Sequence, residues 1–193
     1  MTDAFFKRYT KLINEMNSNK DFGFDMPIKE FIQHMSMLNP QSYGSRIERR
    51  IIRDSQNYKV PASLGRGDMK SAGESYYEIK NSIVTDANNG LNLVQIRLWQ
   101  DVDYYLCIAY DIRDIENFKS YIFLLTHDEM VEQCKYQANA AHGTTKANID
   151  NTNVEMRFSI PIDENNKVFQ YWMKHFHKPD FFESNPHLTY SYI

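Results

Sequence analysis

Apolar and polar positions alternate along this chain with two different periods, and the change of period marks the order of its elements. Near the N-terminus Phe5, Phe6, Tyr9, Leu12, Ile13 and Met16 recur at helical spacing, which predicts a helix over residues 4–16. Pro27 opens a second helix, to about residue 38, where its missing N–H is harmless. After Asn39-Pro40 a third helix is expected from residue 41 or 42 to about 55, burying Ile47, Ile51 and Ile52. The period then shortens. Ser71-Ala72-Gly73-Glu74 is turn-like and residues 75–84 are rich in Tyr, Ile and Val, which predicts a hairpin. Further strands over 91–97, 104–111 and 120–125 would build a sheet with it. The nearly continuous apolar run Tyr104-Tyr105-Leu106-Cys107-Ile108-Ala109-Tyr110 reads as a central strand covered on both faces. Thr126 and Glu129 have the spacing of a capping box and start another helix; a strand over 154–160 and a helix over 164–178 follow. The pattern predicts an α/β fold, a central mixed β-sheet flanked by helices with a helical N-terminal segment.

The hairpin carries the most chemistry. With its turn centred at Ala72-Gly73, Asp68 lies across the ladder from Tyr77 or Glu78, close enough for two carboxylates to share a cation. Glu78 and Lys80, two apart on one strand, project to the same face while Ile79 points to the other. Magnesium prefers oxygen ligands, keeps several waters and is held by one or two carboxylates. Asp68, Glu78 and the Ile79 carbonyl could supply that set, and Lys80 would sit beside a metal-bound water to orient it or help its deprotonation. An acid and a lysine at i and i+2 also occur by chance in surface strands; here they lead towards a buried apolar strand rather than an ordinary exposed hairpin.

With these residues the chain resembles the PD-(D/E)XK nuclease superfamily, and within it the small type II restriction endonucleases. The resemblance lies in Asp68, Glu78 and Lys80, in Pro40 through Glu48 upstream, and in Val94-Gln95-Ile96-Arg97 and Asp103-Tyr104-Tyr105-Leu106 downstream. It spans roughly residues 40–125. One departure is Gly67, which stands where the family has a proline before its first acid. The resemblance implies a restriction-endonuclease-like core, catalytic Asp68, Glu78 and Lys80, and Mg2+ held by Asp68, Glu78 and Ile79. Several such enzymes also place a glutamate from the preceding helix near the metals, which maps onto Glu48; an ion pair with a neighbouring arginine of its own helix is the alternative. It further implies double-stranded DNA as partner, a homodimer whose two-fold axis matches a palindromic site, and a companion DNA methyltransferase that protects host DNA.

Composition narrows this without having suggested it. A chain of 193 residues, 42% hydrophobic and 14% aromatic, can bury one sizeable core. A single domain is expected: residues 1–40 a helical N-terminal part, 41–125 the catalytic core, and 126–193 a recognition and dimerisation part. No run approaches the ~20 apolar residues a membrane span needs, and Lys7, Arg8 and Lys11 are not followed by a signal-type apolar core, so a soluble cytoplasmic protein is expected. Cys107 and Cys134 read as buried free thiols, and neither has the spacing of a zinc site.

The net charge of −3 speaks against a DNA partner until its distribution is read. Between residues 41 and 70 there are seven basic residues against three acids, whereas 81–135 carries nine acids against four bases. Arg46 and Arg50 are therefore candidates for phosphate contact, and a solvated helix face is the plainer reading of the same group. Gln95 and Arg97 alternate with Val94 and Ile96 and could approach the scissile phosphate or only satisfy a sheet edge. The polar, aperiodic stretch 139–157 is the candidate base reader, through His142, Lys146, Asn148, Asn151, Asn153 and Arg157; a plain surface loop is the alternative. Two other functions stay open: a structure- or end-specific repair nuclease with the same core, and a non-enzymatic DNA-binding protein in which Glu78 and Lys80 are an incidental pair.

Overall fold

The computed structural model describes residues 3–140 and 154–178. Three helices come first, α1 (Asp3–Ser18), α2 (Ile28–Met35) and α3 (Pro40–Asp54). The start of α3 is set locally: the Asn39 side chain accepts a hydrogen bond from the Ser42 N–H at 2.9 Å, and Pro40 occupies the first turn. All three helices cover one face of the sheet, where Met16, Phe31, Ile32, Met35, Ile47 and Ile51 are buried with Ile79, Leu106, Ile108 and Ile122. Each such apolar side chain contributes about 1.5–3 kcal/mol on leaving water.

Two arginines of α3 join this layer to the chain before it. Arg46 donates to the Met16 carbonyl at 2.7 Å and to that of Ser42 at 3.0 Å. Arg50 donates to the carbonyls of Met26 and Gly23 and to Asp54, with its guanidinium 4.5 Å from the Phe31 ring centre. Both are buried. This corrects the expectation that Arg46 and Arg50 meet DNA phosphates: both guanidinium groups are turned into the protein, onto main-chain carbonyls of the segments they join.

The strands in chain order are β1 (Tyr58–Lys59), β2 (Met69–Lys70), β3 (Tyr76–Val84), β4 (Gly90–Ile96), β5 (Tyr104–Asp111), β6 (Lys119–Thr126), β7 (Asn139–Ala140) and β8 (Met156–Pro161). Five of them form the central sheet in the order β1-β2-β3-β5-β6. Only β3 and β5 run parallel, with Glu78 opposite Tyr105 and Lys80 opposite Cys107, so the sheet is mixed. The apolar strand β5 lies inside the sheet, between β3 and the edge strand β6, and is buried on both faces, as its unbroken run predicts.

The strand expected over 91–97 does not join this sheet. β4 pairs with β8, which pairs with β7, giving a separate antiparallel sheet. The second sheet, with α4 (His127–Tyr136) and α5 (Lys167–Trp172), covers the other face of β5 through Leu91, Leu93, Ile96, Met156, Phe158 and Trp172. The connection between parallel β3 and β5 thus passes through a strand of this covering layer. A bulge between Leu93 and Ile96, with Gln95 at φ 54°, leaves Val94 and Gln95 both exposed, so the expected alternation fails at Val94, which does not share the buried side of Ile96.

At α4 the capping box forms as expected, Thr126 and Glu129 bonding each other's backbone N–H. The last helix is shorter than the predicted 164–178: α5 stops at Trp172, one 3-10 turn follows, and Phe176 then bridges to Phe123 while the His177 N–H donates to the Ile122 carbonyl. Pairing along β6 outcompetes continuation of the helix. Cys107 and Cys134 are buried thiols that form no disulfide with each other. Among the described residues no helix is long and apolar enough to cross a membrane.

Candidate active site

The site begins as a local consequence of the β2–β3 hairpin. Met69 pairs with Tyr77, so Asp68 comes level with Glu78 on the neighbouring strand. Its backbone N–H donates to the Tyr77 carbonyl at 2.8 Å, and its carboxylate accepts from the Ile79 N–H, also at 2.8 Å. Lys80 is two residues beyond Glu78 and donates to Glu78 Oε1 at 2.6 Å. The side chains of both are mostly buried, 5% exposed for Glu78 and 14% for Lys80. Ile79 turns into the helical core on the opposite face.

Gly67 explains the departure from the family's proline. Its φ is +71°, and a Cβ there would lie 2.5 Å from the Tyr77 carbonyl oxygen and 2.8 Å from Val102. Proline requires φ near −65°, so neither proline nor any other side chain suits this turn, which brings Asp68 against β3.

Glu48 reaches the same region from α3. It pairs with Lys59 of β1 at 3.1 Å, not with an arginine of its own helix. It is also close enough for its charge to act on Asp68. The Asp68 carboxyl is pushed up to about 8 by burial first, then by the charges of Glu78 and Glu48; Lys80 and the Ile79 N–H offset only part of this. Three carboxyl groups thus gather about a hairpin where one lysine lies in their midst.

Gln100, in the loop before β5, supplies a contact that sequence reasoning missed. Its Nε2 donates to Glu78 Oε2 at 3.2 Å, so Lys80 and Gln100 together occupy both oxygens of that carboxylate. No local pattern around Trp99-Gln100-Asp101 signals this. The signal is topological: parallel pairing of β3 with β5 brings the loop before β5 to the end of β3 where Glu78 begins.

The arrangement suits a hydrated oxygen-ligand cation better than a closed metal cage. Among the described residues no three His, Cys, Asp or Glu side chains form a ready metal cluster. A cation here would rest on Asp68 and Glu78, with the Ile79 carbonyl and Glu48 as further oxygens and waters filling the remaining positions, which is the habit of Mg2+. The proton affinity of Asp68 is raised by burial first and then by like charge, and the like-charge part is what a divalent cation would relieve.

The other candidate residues are spread more widely. Arg97 lies just beyond β4 and is ion-paired with Glu155 at 2.7 Å. Gln95 is exposed at the bulge, and Arg157 is exposed on β8. His142, Lys146, Asn148, Asn151 and Asn153 lie outside the described residues; Asn139 of β7 pairs with Arg157 of β8. Of the basic residues in 41–70, Arg66 and Lys70 flank the hairpin, both against the Tyr76 ring at 4.9 and 5.5 Å. Their ion-pair partners Asp101 and Glu74 are exposed, so these cations face water as the buried α3 arginines do not. No protein-family model matches this chain, and a comparison with curated proteins finds no match either.

Proposed function

We propose that the protein is a Mg2+-dependent endonuclease that cleaves double-stranded DNA at specific sites by phosphodiester hydrolysis, in the manner of type II restriction enzymes. The observation that carries this reading is the crowding at the hairpin: Asp68 level with Glu78 across the ladder, raised in proton affinity by Glu78 and Glu48, with Lys80 bonded to the second acid. The restriction-endonuclease-like core belongs to the same proposal, supported by the mixed sheet with parallel β3 and β5 in its interior and helices on both faces.

Asp68 and Glu78 would hold the cation, with the Ile79 carbonyl and Glu48 as additional oxygen donors. When bound, Mg2+ supplies charge neutralisation on the phosphate and favours ionisation of a coordinated water. Lys80, tethered by Glu78, orients the water that attacks phosphorus in line with the departing 3′ oxygen. The new P–O bond forms as the P–O3′ bond breaks; the attacking water gives up a proton to solvent and the leaving oxygen takes one from it. Arg66 and Lys70 are placed to meet backbone phosphates, while stretch 139–157, including Arg157, supplies the polar side chains for base edges. A homodimer would cut both strands of a palindrome, acting in the cytoplasm beside a methyltransferase that marks host DNA.

The test is incubation of purified protein with unmethylated plasmid or phage DNA in Mg2+ and in EDTA, followed by sequencing of the ends. Discrete Mg2+-dependent fragments sharing a short palindrome are expected. End-trimming or a smear would point instead to a repair nuclease, and tight metal-independent binding without cleavage to a DNA-binding protein.

A further inference from the structure

We propose that Gln100 is a positioning residue for the cation site, holding the Glu78 carboxylate in place and presenting an amide oxygen as acceptor to the hydration shell of the bound cation. The inference rests on the reading of Asp68 and Glu78 as metal ligands. Two independent observations carry it. Gln100 Nε2 donates to Glu78 Oε2 at 3.2 Å while Lys80 takes Oε1, so the carboxylate is gripped from two directions. The other end of the same amide, Gln100 Oε1, is buried without a hydrogen-bond partner.

An orphaned carbonyl oxygen in a buried place is unfavourable unless something donates to it. Beside an acid pair, the natural donor is water held by a divalent cation. The amide suits both tasks at once, since one end can only donate and the other only accept. A carboxylate in its place would repel Glu78, and an aliphatic side chain would leave Oε2 unheld. The rest of the loop is anchored independently of the acids: the Gln100 N–H donates to the Arg97 carbonyl at 3.1 Å, the Asp101 N–H to that of Gly65 at 3.0 Å and the Asp103 N–H to that of Tyr76 at 3.0 Å. The backbone of the 97–103 loop is therefore set by its own bonds, which leaves the Gln100 side chain free to serve the site rather than the fold.

The experiment compares native protein with Gln100→Leu and Gln100→Met, neither of which can donate to Glu78 or accept from water. Mn2+ alone is titrated into the full chain without DNA, by calorimetry or by the spin resonance of free Mn2+, and melting is followed in EDTA. We expect Mn2+ binding about 10–100-fold weaker in both variants, the range that loss of an outer-shell partner produces. The melting temperature in EDTA should stay within a few degrees of native. In cleavage assays the Mg2+ concentration for half-maximal rate should rise in parallel, with the rate at saturating Mg2+ changed only a few-fold.

Unchanged Mn2+ affinity in a folded variant, with native protein binding the ion, overturns the role of Gln100 and leaves the metal site intact. A drop in melting temperature without a loss of affinity also overturns it, since that is the signature of a purely structural side chain. If native protein and Glu78→Gln alike bind no Mn2+, the metal reading itself fails and this inference with it.

Discussion

Two groups of buried charge lie on adjacent elements of this protein, and they are treated in opposite ways. The arginines of α3 are matched: Arg46 and Arg50 donate to main-chain carbonyls, and Arg50 adds an ion pair with Asp54. The acids about the β2–β3 hairpin are mismatched, with Asp68 raised by its own burial and by Glu78 and Glu48. A buried charge whose partners are all inside the chain holds a fold together; one set against its own kind has an unmet need. The difference separates structural from functional charge more sharply than residue type does, since a count of basic residues would have assigned the arginines to DNA.

The comparison can be broken at either end. Lys80→Ala or Glu78→Ala should lower DNA cleavage by about 10²–10⁴-fold while DNA binding measured in Ca2+ stays within a few-fold of native; near-native turnover in either would remove these residues from the site. Arg50→Ala should do the reverse. It takes away the Met26 carbonyl's side-chain donor and two further buried contacts, to the Gly23 carbonyl and to Asp54, and should cost about 2–3 kcal/mol in urea unfolding with no change in turnover per folded molecule. Gly67→Pro should be as harmful to folding as the arginine change, because φ +71° is closed to proline.

Asp68→Asn tests the mismatch directly, and its sign is opposite to that of an ordinary salt-bridged acid. An unfolded Asp ionises near 3.9, whereas folded Asp68 does so near 8. Between those values the folded chain holds a proton that the unfolded chain has released, so Asp68 makes native stability fall as pH rises from about 4 to about 8. In EDTA the Asn variant should therefore melt several degrees above native at pH 8 and converge with it near pH 4. Mg2+ at a hundredfold excess over its dissociation constant should stabilise native protein by about 2.7 kcal/mol and the variant far less. The smallest effect is expected at Arg97→Met, where loss of a half-exposed ion pair with Glu155 should cost under about 1 kcal/mol. A large loss of cleavage there would return Arg97 to the phosphate-contacting role its position in the sequence suggested.

The hairpin was legible in the sequence because everything that shapes it is local: a turn, a period of two, and twelve residues from Asp68 to Lys80. The α3 arginines were misread although a signal was present. Arg46 and Arg50 are four apart and immediately precede Ile47 and Ile51, so they border the apolar stripe, whereas Arg53 points outward. Their long apolar stems can lie in a core while the head finds carbonyls, and sequence alone gives no hint of where those carbonyls will be. The placement of β4 in a second sheet was equally hidden, since strand periodicity reports which side is buried but not which strand is the neighbour. Gln100 depends on the same long-range pairing.

That dependence has a kinetic side. A hairpin closes within about 1–10 μs, whereas parallel pairing of β3 and β5 must first organise the whole intervening segment with β4 in it. The two carboxylates and the lysine can therefore come together early, on a chain still lacking its covering layer, while the amide of Gln100 arrives only when the sheet is complete. During biosynthesis the hairpin leaves the ribosome ahead of the loop that steadies it, so a nascent chain carries the acids before it carries a finished site. If the protein is the proposed nuclease, firm cation binding would be a late event of folding, and an immature molecule would stay harmless to DNA.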